Sequence, residues 1–196
     1  MRRWILLLSL PLYILDQLTK WWTIARFDDP DTPGFQVRRF FGCTLNHDPS
    51  TAEYHEEIEV IPGFFWLHRL HNTGIAFGRF NGGAWSNYIF GSVSLAAFIA
   101  ITWMWRKNVF PTRLGKLAAA LLLSGIAGNL TDRLLHGYVV DFLQFRLGPW
   151  YAKLSGSEYF PSFNVADSCI TVAAVLLFAS SFQKVPSPLP IHRPSR

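Results

Sequence analysis

Ser124-Gly-Ile-Ala-Gly-Asn-Leu-Thr-Asp-Arg-Leu-Leu-His-Gly-Tyr-Val-Val-Asp-Phe142 decides how this chain is read. A Gly-spaced apolar helix runs into Asn129, Asp132 and Arg133, breaks at Gly137 and delivers Asp141. A later stretch, Phe163-Asn-Val-Ala-Asp167, carries another acid into apolar surroundings. The 196-residue chain around them is 50% hydrophobic and only 16% charged, against roughly 25% charged in an ordinary soluble domain. The composition is that of an α-helical integral membrane protein, in which each carboxylate within a span needs a reason.

Four apolar segments are expected to span the bilayer, at about 4–25, 85–105, 117–135 and 167–184, within one domain over 1–185. The first resembles a signal peptide but lacks a small-x-small cleavage site and carries Asp16, Gln17 and Lys20, so it reads as a retained helix, with Pro11 as a possible kink. Residues 27–84 and 137–166 read as outer loops. Within them Ile58 to His71 around Pro62-Gly63, and Phe142 to Leu147, have strand character and imply a small extracytoplasmic β-cradle. Pro111 to Lys116 reads as a short basic hairpin, and 186–196 as a disordered cytoplasmic tail.

The net charge of +5 arises from topology rather than from nucleic-acid binding. Arg2, Arg3, Arg106, Lys107, Arg113, Lys116, Lys184, Arg193 and Arg196 all fall on one side of a four-span arrangement, and no Asp or Glu joins them. The positive-inside rule then makes both termini cytoplasmic.

Depth counting supplies the functional signal. Asp16 lies about 18 Å above Trp4 at 1.5 Å per residue, and Lys20 is one turn higher. Asn129, Asp132 and Arg133 reach the same outer level on the third span, and Asp167 starts the fourth there. Ionisable groups inside a bilayer cost several kcal/mol each unless paired or solvated, so their convergence at one depth indicates a functional site near the outer face.

Plainer readings exist for several of these residues. Asp16 and Lys20 form an i,i+4 pair, and Arg133 snorkels or neutralises Asp132. Asn164 is spaced to cap the fourth helix, while Gly125 and Gly128 suit close packing. His47, His55, His68, His71 and His136 lack metal-ligand spacing and read as solvated loop residues, so no metal site is expected. Cys43 and Cys169 occupy different environments and read as packing residues. Asp141 and Asp167 resist such readings, because neither has a basic residue at helical spacing and both are flanked by apolar side chains. Two carboxyls in one such place cannot both ionise cheaply, which suits one as base toward water and the other as acid toward a leaving amine. The residues do not assign which does which.

At these positions the sequence resembles the signal peptidase II family of membrane aspartic peptidases. The matching pieces, in order, are Asp16-Gln-Leu-Thr-Lys20, Asn72-Thr-Gly-Ile-Ala-Phe77, Gly128-Asn-Leu-Thr-Asp-Arg133, Val139-Val-Asp-Phe142 and Phe163-Asn-Val-Ala-Asp167. The resemblance implies Asp141 and Asp167 as the catalytic dyad, with Asp16, Lys20, Asn72, Asn129, Asp132, Arg133 and Asn164 shaping or supporting the site. It implies a diacylglyceryl-modified prolipoprotein as substrate, cut before its lipidated Cys without metal or cofactor, by a monomer in the bacterial inner membrane with membrane lipid as its other partner. Ser124 stands where the family usually has glycine, Ile75 where it usually has alanine, and both outer loops are longer than usual. Two other classes compete: a proton-coupled transporter, which would place its acids near the midplane and often carry repeated halves, and a non-catalytic lipid-binding membrane protein.

Overall fold

Pro11 shapes the first helix. The computed structural model describes residues 2–27, 57–74 and 84–183; Cys43, Ile75, His47, His55 and the tail 186–196 lie outside them. Arg2–Trp4, a π turn over Ile5–Ser9 and Leu10–Arg26 follow one another as a single helical segment, α1. Proline has no N–H to give to the preceding turn, and its ring crowds the carbonyl four residues back. The widened turn closed by the Leu10 N–H on the Ile5 carbonyl absorbs that mismatch.

Three further long or apolar helices follow: α2 at Ala84–Arg106, α3 at Arg113–Leu135 and, after a short helix α4 at Pro149–Ser155, α5 at Val165–Ser181. Among the described residues two helices, Ser86–Arg106 and Arg113–Leu135, are long and apolar enough to cross a membrane, and Val165–Ser181 is apolar but shorter. Helix α3 begins earlier than the sequence suggested. Thr112, in extended conformation, accepts from the Gly115 N–H at 3.0 Å, so Arg113 to Lys116 form a helical turn rather than a hairpin. The same hydroxyl meets Ser180 Oγ at 2.6 Å, tying the start of α3 to the end of α5.

Small residues bring α3 against α5. Ala118, Ala119, Ala120 and Ala173 are fully buried, and a side chain added at Gly125 would run into the Ala166 carbonyl and Ile170. Contact this close is how helices pack where lipid offers no hydrophobic drive for association. Trp105, Phe110 and Leu123 close the core near the basic end of the bundle.

At the other end lies a three-stranded antiparallel sheet in the order β1-β2-β3: Ile58–Ile61, Phe65–Asn72 and Val139–Phe145. Pro62 and Gly63, the latter at φ +68°, turn β1 into β2. Gly137, at φ +81°, ends α3 and releases the chain into β3. Strand β3 starts three residues before the strand expected from sequence, so Asp141 sits in a ladder opposite Leu70 rather than in a loop. Its far edge meets the chain entering α5 through reciprocal Leu143 and Phe163 backbone bonds of 2.9 and 3.1 Å.

Candidate active site

Lys20 is the centre of the buried polar region. Its side chain is only 1% exposed, and its ammonium lies 2.9 Å from Asp16 Oδ2 and 3.0 Å from Asp132 Oδ2. Both carboxylates are also held from behind. Asp16 Oδ1 accepts from the Ala166 N–H at 2.8 Å, and Asp132 Oδ2 from the Val140 N–H at 3.0 Å. These bonds tie α1 to the start of α5 and the end of α3 to β3. Asp16 and Lys20 are therefore more than an i,i+4 pair. Asp132 pairs with Lys20, while the Arg133 guanidinium donates to the Asn129 carbonyl at 3.3 Å and lies 5.8 Å from the Phe90 ring centroid.

An ammonium group only donates, and that fact orients the next residue. Lys20 Nζ lies 3.1 Å from Asn129 Oδ1, so this oxygen must face Lys20 and the amide nitrogen must point away. That nitrogen donates to Asp167 Oδ1 at 2.7 Å. Asn164 is fixed by the same logic. Its Oδ1 caps α5 by accepting from the Asp167 N–H at 2.9 Å, which turns its NH2 toward Asp141 Oδ1 at 2.8 Å and Asn129 Oδ1 at 3.1 Å. In Asn72 the oxygen accepts from the Gly74 N–H at 2.8 Å, and the NH2 donates to Asp141 Oδ2 at 2.8 Å. Three asparagines, each oriented by a donor that cannot be reversed, present N–H groups to Asp141 and Asp167.

The electrostatics follow from this enclosure. Asp141 is fully buried. Burial pushes its carboxyl up to about 7, the Asp167 charge adds to the rise, and the Asn72 and Asn164 donors with the Lys20 charge oppose it. A carboxyl poised near neutrality beside a second carboxyl is suited to giving a proton in one step and taking it back in another.

The structure thus brings Asp16, Lys20, Asn129, Asp132, Asn164, Asp167, Asp141 and Asn72 into one connected network, with Arg133 at its edge. It adds Gln17, whose Nε2 donates to Asp16 Oδ2, Gly128 O and Asp132 Oδ1 at 3.2 to 3.3 Å. An uncharged amide beside Asp16 in an apolar helix was the available signal for it. His68 and His136 are both buried rather than solvated, His68 fully so, with Nε2 2.8 Å from Ser162 Oγ.

Comparison with known proteins points one way. The family described as Signal peptidase (SPase) II matches residues 8–183. The chain is 35% identical to the lipoprotein signal peptidase of Symbiobacterium thermophilum over 173 residues, 88% of this chain and 90% of the relative. It is 34% identical to that of Neisseria meningitidis serogroup C over 89% of this chain and 85% of the relative. Two solved structures of bacterial membrane enzymes superpose with TM-scores of 0.63 and 0.62 at 26% identity, covering 90% and 91% of this chain and 86% and 92% of theirs.

Proposed function

Because the chain belongs to the signal peptidase II family, whose members remove signal peptides from prolipoproteins, we propose that Asp141 and Asp167 are the dyad that performs the hydrolysis. Three oriented asparagine amides converging on these two carboxyls carry the assignment. One carboxylate takes a proton from water as the water oxygen adds to the carbonyl preceding the lipidated Cys. The carboxylic acid of the other then protonates the departing Cys nitrogen as the peptide C–N bond breaks. The two acids act as a pair that carries one proton between them, with the Asp141 carboxyl pushed up to about 7 by burial and by the Asp167 charge. Lys20, Asp16, Asp132 and Gln17 support Asn129 and the helix ends, and Arg133 packs at the rim.

The substrate's diacylglyceryl group requires the site to meet the membrane surface, and the surroundings fit. Ile14, Leu18, Ile99, Trp103, Val175 and Phe178 are exposed on helix exteriors while Asp16, Lys20 and Asp132 are buried inside, a distribution suited to lipid rather than water. Four spans account for it best. Helix α1 is broken into shorter pieces by its π turn but runs from residue 2 to 26, about 37 Å of helix, and α5 has the minimum length for a span. The Thr112–Ser180 contact joins the basic start of α3 to the end of α5, whereas Asn87 donates to the Arg133 carbonyl at the opposite end. The sheet and dyad then occupy the outer side, with both termini cytoplasmic.

The test is cleavage of a diacylglyceryl-modified prolipoprotein by the purified protein. Asp141→Asn and Asp167→Asn are each expected to lower the rate by at least roughly a hundredfold. Parental cleavage by either variant removes that residue from the dyad.

A further inference from the structure

Between Leu67 and Leu70 the β2–β3 register slips by one residue, so His68 and Arg69 together oppose Phe142 on β3. A bulge bends a strand and re-aims a side chain. Here it accompanies an imidazole that is fully buried and whose Nε2 reaches Ser162 Oγ at 2.8 Å. Ser162 is not on β2's neighbour but on the segment beyond it, where Phe163 pairs with Leu143 on the other edge of β3. The His68–Ser162 bond therefore spans β3 and anchors the chain two residues before Asn164. Asn164 holds Asp141 Oδ1 with its NH2 and the Asp167 N–H with its oxygen, so its placement sets how the strand acid and the helix acid stand to one another.

We propose that His68 is a positioning residue for the hydrolysis, clamping Ser162 so that Asn164 keeps Asp141 and Asp167 in catalytic register. The inference rests on the dyad assigned above. Burial lowers the His68 pKa against the opposing pull of Glu57, whose Oε1 is 3.7 Å from Nδ1, so the clamp is a neutral imidazole at neutral pH. The bond Asn164 donates to Asp141 favours the ionised acid, as do the Asn72 donor and the Lys20 charge, against burial and the Asp167 charge. The Arg133 guanidinium also acts on both acids. Loosening Asn164 alone therefore raises the Asp141 pKa and moves the alkaline limb of the rate profile upward.

The experiment uses the full chain in detergent with a diacylglyceryl-modified prolipoprotein, comparing His68→Leu, Ser162→Ala, the double variant and His68→Gln, whose amide nitrogen replaces Nε2. Each of the first two is expected to lower kcat roughly tenfold with little change in KM and to shift the alkaline limb upward. The double variant is expected to lose no more than the worse single one, and His68→Gln to restore both readouts. The small, partly exposed Ser162 site serves if His68→Leu fails to fold. Parental kcat in Ser162→Ala, additive losses in the double variant, or a slower enzyme with an unmoved pH profile would overturn the clamp. A failure of the dyad is separately visible as retained cleavage by Asp141→Asn or Asp167→Asn.

Discussion

An asparagine amide has two chemically distinct ends, and Asn164 uses one for folding and the other for the site: its oxygen caps α5 and its nitrogen serves Asp141. Asn164→Ser separates the two. Serine is as good an N-cap as asparagine, so the cap survives, but no NH2 remains to face Asp141. The rate is expected to fall by at least roughly a hundredfold with only a small drop in melting temperature. A large drop accompanied by residual full activity per folded molecule would place Asn164 in the fold alone. Asp141 itself makes stability depend on pH. Its folded-state carboxyl sits at about 7 against an ordinary 3.8, so the folded protein binds more protons than the unfolded chain between those values. Stability is therefore highest at the acid end of that window and declines as pH rises through it, by at most about 4 kcal/mol at neutrality. Melting curves of the parent and of Asp141→Asn at pH 4.5 and 7.5 check this, because the difference between them must move in favour of the variant as pH rises. Parallel curves would mean that Asp141 titrates normally.

Helix α3 makes the site possible by being smooth on one side and polar on the other. A Cβ at Gly125 would meet the Ala166 carbonyl, which is backbone and cannot yield, whereas a Cβ at Gly128 would meet Asp16 Oδ2, the end of a side chain. Gly125→Ala is thus expected to cost about 1–3 kcal/mol by forcing α3 from α5. Gly128→Ala should cost at least as much stability and more activity, since displacing Asp16 disturbs its pair with Lys20 and, through Lys20, Asn129. Thermal unfolding beside cleavage rates distinguishes them, and the reverse ranking would contradict the packing argument. The same elements explain what could be read from sequence. The apolar runs from Trp85 and from Leu117 speak for themselves, because a helix carries its own hydrogen bonds. The network residues were visible because charges are rare in such helices. Strand β3 starts earlier than the sequence indicates, since Val139-Val140-Asp141 becomes a strand through pairing with Asn72, His71 and Leu70 on β2. Helix α4 was missed because seven residues between Gly148 and Gly156 give no usable periodicity. His68 is buried by a register slip, which leaves no mark in the local sequence.

At the scale of the whole molecule the arrangement inverts a soluble protein: large apolar side chains cover the helices and the buried interior holds a lysine between two aspartates. Removing one partner from a buried ion pair costs about 3–5 kcal/mol, so the interior is committed to its network while the exterior is committed to its solvent. That pairing of commitments makes the number of crossings a physical question rather than a naming one. With four crossings, positions 3, 108 and 183 share one side and position 157 lies on the other. If only α2 and α3 cross, position 183 joins positions 3 and 157, and 108 stands alone. Single cysteines at Arg3, Asn108, Ser157 and Gln183, in a chain with Cys43→Ser and Cys169→Ala, separate these cases by labelling with an impermeant maleimide before and after permeabilisation. Ser157→Cys is expected to react from outside and the other three only after permeabilisation. Gln183→Cys is the deciding site: its reaction in intact cells would leave α5 outside the bilayer and detach Asp167 from the depth at which the lipid-anchored substrate must be met.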